Sequence, residues 1–417
     1  MIRVTLGLLV FGSSAVAFAQ TETPAETEAT SEEGADTTGK KRIGQFPNDA
    51  AVISGEFPGS IRIPGYDASV RIGGLVQLNT VYDWDSLGFA DTLSSITIPL
   101  DDSPEDKSSQ TGLSARDSRL NFDLRGENRF GTLRMFVEAD FLGSGSELNS
   151  NYTFQLRHAA AQVGALFVGQ WWSNFDDISA FPESATPPLG APTLRAPGLR
   201  TRYTGGSWII GGGVETPGGD LSGPGAPDET SESFPDTLAY VEYRPGSLHF
   251  RLAGLLRRLE SETDTEFTAA TNFSGRIPLS FIDKHDNLSF QVQYGSAIGR
   301  YYLPLNGAGL DAVVTESGAI LPTEVIAGYV AFQHWWSERW RTTLVASAID
   351  FDRPETTGGA NLRRSQNYIA NLYFSPIDTV TFGLDLLYAT REDQGGLQGD
   401  GFRAIFSARV DFWPRTH

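Results

Sequence analysis

The last strand-like segment constrains the fold of this chain more than any other feature. Phe402, Ala404, Phe406, Ala408, Val410 and Phe412 fall on one side. Arg403, Ser407, Arg409 and Asp411 fall on the other, with Ile405 the single exception. Successive side chains of a strand point to opposite faces, so this segment has one apolar and one charged face. The pattern recurs along the chain. No segment after the N-terminus approaches the ~18 continuous apolar residues of a transmembrane helix. A chain that crosses a membrane without such a helix has the closed barrel left to it. The expected fold class is therefore all-β: a transmembrane antiparallel β-barrel, apolar toward lipid and polar toward a lumen.

The N-terminus reads as an export signal. Arg3 supplies the positive region, Val4 to Val16 the apolar stretch, and Ala17-Phe18-Ala19 a small-x-small cleavage site that leaves Gln20 as the mature start. Residues 20–56 form a polar, irregular periplasmic segment, and residues 57–417 form the barrel. The 417 residues include no cysteine, which excludes disulfides, thiolate metal sites and thiol nucleophiles.

Charge distribution matters more than the formal net charge of −19. Residues 20–41 carry six acids and two lysines, 84–115 six acids and one lysine, and 215–235 five acids and no base. These three segments outside the expected strands hold most of the excess. Of the 32 basic residues, all but Lys40, Lys41, Lys107 and Lys284 are arginine, whose planar fork suits carboxylate and phosphate. The acidic balance argues against nucleic-acid binding.

Sixteen strands are expected, at 69–83, 116–126, 129–142, 151–163, 165–172, 197–204, 207–214, 236–244, 247–258, 266–281, 287–296, 323–335, 339–351, 364–375, 378–390 and 400–413. Short links alternate with longer ones, as short periplasmic turns alternate with outer loops in outer-membrane barrels. Leu120, Phe122 and Leu124 oppose Arg119, Asn121, Asp123 and Arg125, and Val380, Phe382, Leu384 and Leu386 oppose Thr381 and Asp385. A charge at the lipid midplane costs about 2–4 kcal/mol, so the charged side must face inward. Segments 165–172 and 323–335 alternate weakly and are expected to pack against neighbouring subunits, with Phe167 and Val168 in that contact. The eight tryptophans sit near strand ends, where aromatic girdles are expected.

Three stretches carry a resemblance. They are Phe57-Pro58-Gly59-Ser60-Ile61-Arg62-Ile63-Pro64-Gly65 with Val70 to Gly74; Ser118-Arg119-Leu120 through Gly126 to Phe130-Gly131; and Leu156-Arg157-His158-Ala159 through Gly169-Gln170-Trp171 to Pro182-Glu183. Together with Asp286 to Phe290 and Gly299-Arg300-Tyr301, they resemble the DcaP-like porins of Gram-negative outer membranes. The resemblance implies a homotrimer of sixteen-stranded barrels in outer-membrane lipid, passing small anionic solutes, dicarboxylates among them. The Pro414-Arg415-Thr416-His417 tail departs from the aromatic terminus common to such chains.

On this reading the link 173–196 folds inward and narrows the lumen, carrying Asp176, Asp177 and Glu183. The opposing wall carries Arg71, Arg119, Arg125, Arg134, Arg157, Arg200, Arg202, Arg403 and Arg409. Acids facing arginines would set a transverse field for anionic or zwitterionic solutes. Alternatively, these arginines pair with Asp123, Glu138, Asp140, Asp385 and Asp411 and stiffen the wall. No catalytic constellation, cofactor motif or metal-ligand spacing stands out. The expected function is passive diffusion; the alternative is a non-conducting structural or adhesive barrel.

Overall fold

The structure, a computed structural model, describes residues 55–88, 92–101, 103, 108–143, 145–146, 151–227, 232–354 and 362–413. The signal peptide, the acidic tail and the last four residues lie outside them. No helix among the described residues is long and apolar enough to cross a membrane.

One antiparallel sheet of eighteen strands closes on itself. Two of its strands, Ile61–Arg62 and Gln110–Ser114, pair along the first long strand without adding a place to the wall, so sixteen form the barrel. These are β1 (Ala68–Asp83), β2 (Arg119–Asn128), β3 (Gly131–Asp140), β4 (Gln155–Val163), β5 (Leu166–Trp172), β6 (Arg195–Gly205), β7 (Trp208–Glu215) and β8 (Asp236–Tyr243). The second half comprises β9 (His249–Glu260), β10 (Thr265–Pro278), β11 (Asn287–Ser296), β12 (Glu324–Trp335), β13 (Trp340–Asp352), β14 (Leu362–Ile377), β15 (Val380–Asp393) and β16 (Gln398–Asp411). Each expected strand is present, with ends moved by a few residues. Tight turns at one end use glycine where the backbone needs a positive φ, as at Gly164 (57°), Gly206 (58°) and Gly246 (64°).

Strand β1 closes the barrel. Its outer half pairs with β16 from Leu75↔Asp411 to Asp83↔Arg403, and its inner half with β2 from Ala68↔Gly126 to Leu75↔Arg119. At the outer end of the seam Arg403 lies across Asp83 in a fork, Nε–Oδ1 2.6 Å and Nη2–Oδ2 2.8 Å. Both residues are buried, and Asp83 also accepts from the Leu87 amide.

Facing follows the alternation. Phe122, Leu384 and Phe406 are exposed on the outer wall, while Asp123 and Asp385 are buried inside. The weakly alternating strands carry apolar residues on both faces. Phe167 is buried on the inside, whereas Val168 is exposed outside. In β12, Val325, Ala327, Tyr329 and Ala331 are buried inward, and Ile326 and Val330 face out. Folded loops cover the inner face of β12, whereas the inward Phe167 of β5 lines an internal cavity, and neither strand keeps a period-two contrast.

Those loops pack inside the outer half of the barrel. Leu87, Leu93 and Ile98 of the first loop meet Leu189 and Ala191 and the inward side chains of β12 to β15. Phe175 and the later loop residues Tyr301, Tyr302, Leu305 and Leu310 meet inward apolar residues from β8 to β14. Burying them stabilises by roughly 25 cal/mol per Å² of apolar surface and turns part of the lumen into packed protein.

Tryptophan placement is mixed. Trp84, Trp208, Trp336, Trp340 and Trp413 are exposed on the outer wall near strand ends. Trp171, Trp172 and Trp335 instead line internal cavities, so the girdle reading fails for these three.

Removing one partner of a buried ion pair leaves an uncompensated charge, at a cost of about 3–5 kcal/mol. Asp83→Leu alone should therefore lower the temperature at which the barrel loses its compact migration on a denaturing gel. Combining it with Arg403→Met should restore most of the loss. A single variant as heat-resistant as the parent would show that the pair does not secure the seam.

Candidate functional site

The segment after β5 begins with a turn that the sequence fixes locally. The Asp177 carboxylate accepts from the Ser179 amide and caps a 3-10 turn at Ile178–Ala180. Pro182, Pro187 and Pro188 follow, restricting φ and removing backbone donors. The loop then crosses the lumen, and polar side chains of the far wall catch its backbone. Asn272 donates to the Phe175 carbonyl (2.7 Å), Gln291 to Asp177 (2.9 Å), Tyr329 to Ala180 (3.1 Å), Arg276 to Phe181 (2.8 Å) and Asn371 to Glu183 (2.8 Å). Further on, Asp385 accepts from the Ala185 amide, Asn367 from Leu189 and Ser347 from Gly190. These partners span β10 to β15. Sequence alternation marked them as inward and polar but not as a cradle for a loop.

The acids of the loop are not equivalent. Asp177 Oδ2 lies 2.6 Å from His249 Nε2 and accepts from Ser274 Oγ at 2.6 Å. Burial raises its pKa, but these two contacts win and hold it well below the carboxylate range. Glu183 meets Arg341 in a fork, with both N···O distances 2.5 Å. Asp176 is buried with neither carboxylate oxygen hydrogen-bonded. Burial first, and the neighbouring Glu215 carboxylate second, push it well above its ordinary value against the pull of Arg251.

Between the loop root and the near wall lies a cavity of about 350 Å³. Of the expected residues, Arg119, Arg134, Arg157, Arg200 and Arg202 line it together with Asp176 and Asp177. Glu183 lies elsewhere, in a second cavity with Arg276 and Trp335. Four wall arginines are not at the first cavity. Arg71 and Arg125 flank Asp123, with the Arg125 guanidinium 4.4 Å from the Phe57 ring centre. Arg403 closes the seam, and Arg409 pairs with Asp411. The structure thus brings loop acids and wall arginines together at one end of the loop, while Glu183 at its tip is spent on anchoring.

The ion-paired alternative is also partly present. Arg134 reaches Asp123 at 2.8 Å, Arg157 reaches Glu138 at 3.1 Å and also Asp140, and Arg200 reaches Glu215 at 3.1 Å. Asp385 differs, accepting from Tyr373 and Asn371 rather than from an arginine.

Three features were not anticipated. The register between β3 and β4 shifts after Glu138↔His158, so Arg157 is an extra residue and both Arg157 and His158 are buried inward. His158 lies against Trp171, with ring centres 4.2 Å apart, and Phe136 and Phe167 complete an aromatic wall beside the arginines. Arg251 donates to the Asp176 and Asn174 carbonyls at 2.6 and 2.5 Å, with its guanidinium 4.0 Å above the Tyr240 ring. That ring fits because Gly211 faces it: a Cβ there would lie 2.5 Å from Tyr240. Arg244 is the other unanticipated lining arginine, and the adjacent Gly211-Gly212-Gly213 run was the one visible hint.

A closed sixteen-stranded barrel with short turns at one end, folded loops at the other and a loop strapped across its lumen is an outer-membrane porin. The family model described as "DcaP outer membrane protein" matches residues 61–412, and the chain belongs to that family. Its fold is similar to the outer-membrane channel DcaP of Acinetobacter baumannii (TM-score 0.72, 19% identity, 83% of this chain and 97% of that one). It is also similar to an anion-selective porin from Comamonas acidovorans (TM-score 0.57, 12% identity, 83% and 100%). A third similar structure is the trimer form of OmpT from Vibrio cholerae (TM-score 0.50, 9% identity, 83% and 100%). No curated protein sequence matches the chain. The protein is a channel of the Gram-negative outer membrane.

Glu183→Gln weakens the clamp at the loop tip, where each hydrogen bond to a charged partner contributes about 1.5–3 kcal/mol. Single-channel recordings should show transient closures several times more often than in the parent. An unchanged closure rate would mean that the backbone contacts alone hold the loop.

Proposed function

We propose that this porin passes small anionic or zwitterionic solutes, dicarboxylate-like molecules among them, through the cavity beside the root of the inward loop. One observation carries the reading: seven arginines against four carboxylates line that cavity. Of the four, Asp177 is bound by His249 and Ser274, and Asp176 is pushed toward its neutral form. The ion responds to the local potential. At a Debye length of ~8 Å the acidic outer segments are screened from the lumen, while charges in a narrow low-dielectric channel are screened less. Likeness in fold to an anion-selective porin is consistent with this.

A trimer is part of the proposal. Strand β5 has 7 residues and β7 and β8 have 8 each, whereas β14 has 16. A lipid-facing strand needs about 9–11, so the low wall fits better against a neighbouring subunit than against hydrocarbon. Export follows the signal at residues 1–19, with cleavage after Ala19.

A second reading, a non-conducting barrel, draws support from the packed loops that fill part of the lumen. A planar-bilayer recording separates the two. The parent should conduct and prefer chloride in a salt gradient. Arg119→Ser combined with Arg202→Ser should move the reversal potential toward that of a non-selective pore. Arg157 is a poor choice for this test, since its loss would strand the buried Asp140. Cation selectivity in the parent, or an unmoved potential in the variant, would overturn the anionic reading. The native mass should be that of three subunits, and a mass of one subunit would overturn the trimer.

A further inference from the structure

Asp176 is 2% exposed, lines the arginine cavity, and has no hydrogen-bond partner on either carboxylate oxygen. A buried polar group left unpaired costs free energy unless something arrives to pair with it. The surroundings explain why nothing in the protein does. Arg251 uses its two Nη groups on the carbonyls of Asn174 and Asp176. Arg200 and the Asn174 amide take one oxygen of Glu215. The other Glu215 oxygen and the Tyr302 hydroxyl are likewise buried without partners. His249 is spent on Asp177. Asp176 therefore brings two unpaired acceptor oxygens to one end of a cavity whose remaining wall is lined mainly by donors.

We propose that Asp176 is the ammonium-binding end of a two-ended site for amino-carboxylate zwitterions, whose carboxylate end lies on the cavity arginines. The inference rests on the porin reading and deepens it by naming a solute class. An ammonium brings three donors and no acceptor, matching the two unpaired oxygens of Asp176. A carboxylate suits the planar forks opposite. A dianion of the same length would meet the arginines equally well but would set a second negative charge against Asp176. Binding is also linked to a proton. In the empty cavity, burial with Glu215 and Asp177 nearby keeps the Asp176 carboxyl protonated well above its ordinary range, against Arg251. An ammonium at contact favours the ionised form, so binding releases that proton and strengthens as pH rises.

The test uses the reconstituted full-length channel. Its ion current is titrated with 4-aminobutyrate and, separately, with succinate, two four-carbon solutes that differ in carrying ammonium or carboxylate at one end. Asp176→Asn should raise the half-blocking concentration of 4-aminobutyrate about tenfold, equivalent to one lost charge-assisted hydrogen bond, and leave that of succinate little changed. In the parent, block by 4-aminobutyrate should tighten between about pH 5 and pH 8, where both charges of the solute persist. This arm needs no variant and stands even where the variant fails to fold. Equal block of parent and variant, a loss for succinate as large as that for 4-aminobutyrate, or a flat pH response in the parent would each overturn the proposal. A parent with no current at all would sink the porin reading and this inference with it. A conducting, anion-selective parent whose 4-aminobutyrate block ignores Asp176→Asn would sink this inference alone.

Discussion

Backbone hydrogen bonding in a medium without water is the constraint on which this structure depends. Each amide of a spanning strand must find a partner within the sheet, so the sheet has to close. Strand β1 performs the closure by pairing with β16 and β2 at once. Its side chains then inherit fixed directions, and the polar set is forced inward. The arginine-rich wall is a consequence of that geometry. Guanidinium groups tolerated nowhere on the lipid face are gathered into a lumen, where some pair with Asp123, Glu138 and Asp140, some line the cavity, and Arg134 and Arg157 do both.

The inward loop is held in a way that leaves its chemistry local. Wall side chains hold the loop largely through its backbone, and the carboxylate of Glu183 is committed to Arg341. What remains for a solute is the root, where Asp176 and Asn174 sit opposite the near wall. Position is therefore set by many hydrogen bonds of about 0.5–1.5 kcal/mol each, and a small number of charged groups is left facing the cavity at the loop root.

Much of the barrel was legible in the sequence because lipid on one side and water on the other impose a period of two. All sixteen strands could be read from it, and so could the inward direction of residues such as Asp123 and Asp385. Legibility failed where a third environment intervened. Val325, Ala327, Tyr329 and Ala331 face inward yet are apolar, since folded loops cover them, and the contrast with Ile326 and Val330 disappears. The extra residue at Arg157 could not be read either, because a bulge changes facing without changing composition. For the site, residue type was informative and distance was not. Nine arginines were marked as inward, but which of them share a cavity depends on register and on a loop whose anchors lie as many as 200 residues away.

Those sequence separations bear on how the molecule comes into being. Ser94 donates to the Pro304 carbonyl across 210 positions, the Ala185 amide to Asp385 across 200, and Arg391 to the Ile96 carbonyl across 295. Bringing such distant segments together carries a loop-closure cost that only a wall already in place can remove. The strands can zip from neighbour to neighbour along the sheet, but the internal loops find their partners only when β9 to β15 stand. The loop-lined interior is therefore the last part to form, and a newly inserted barrel is wider before its own loops narrow it.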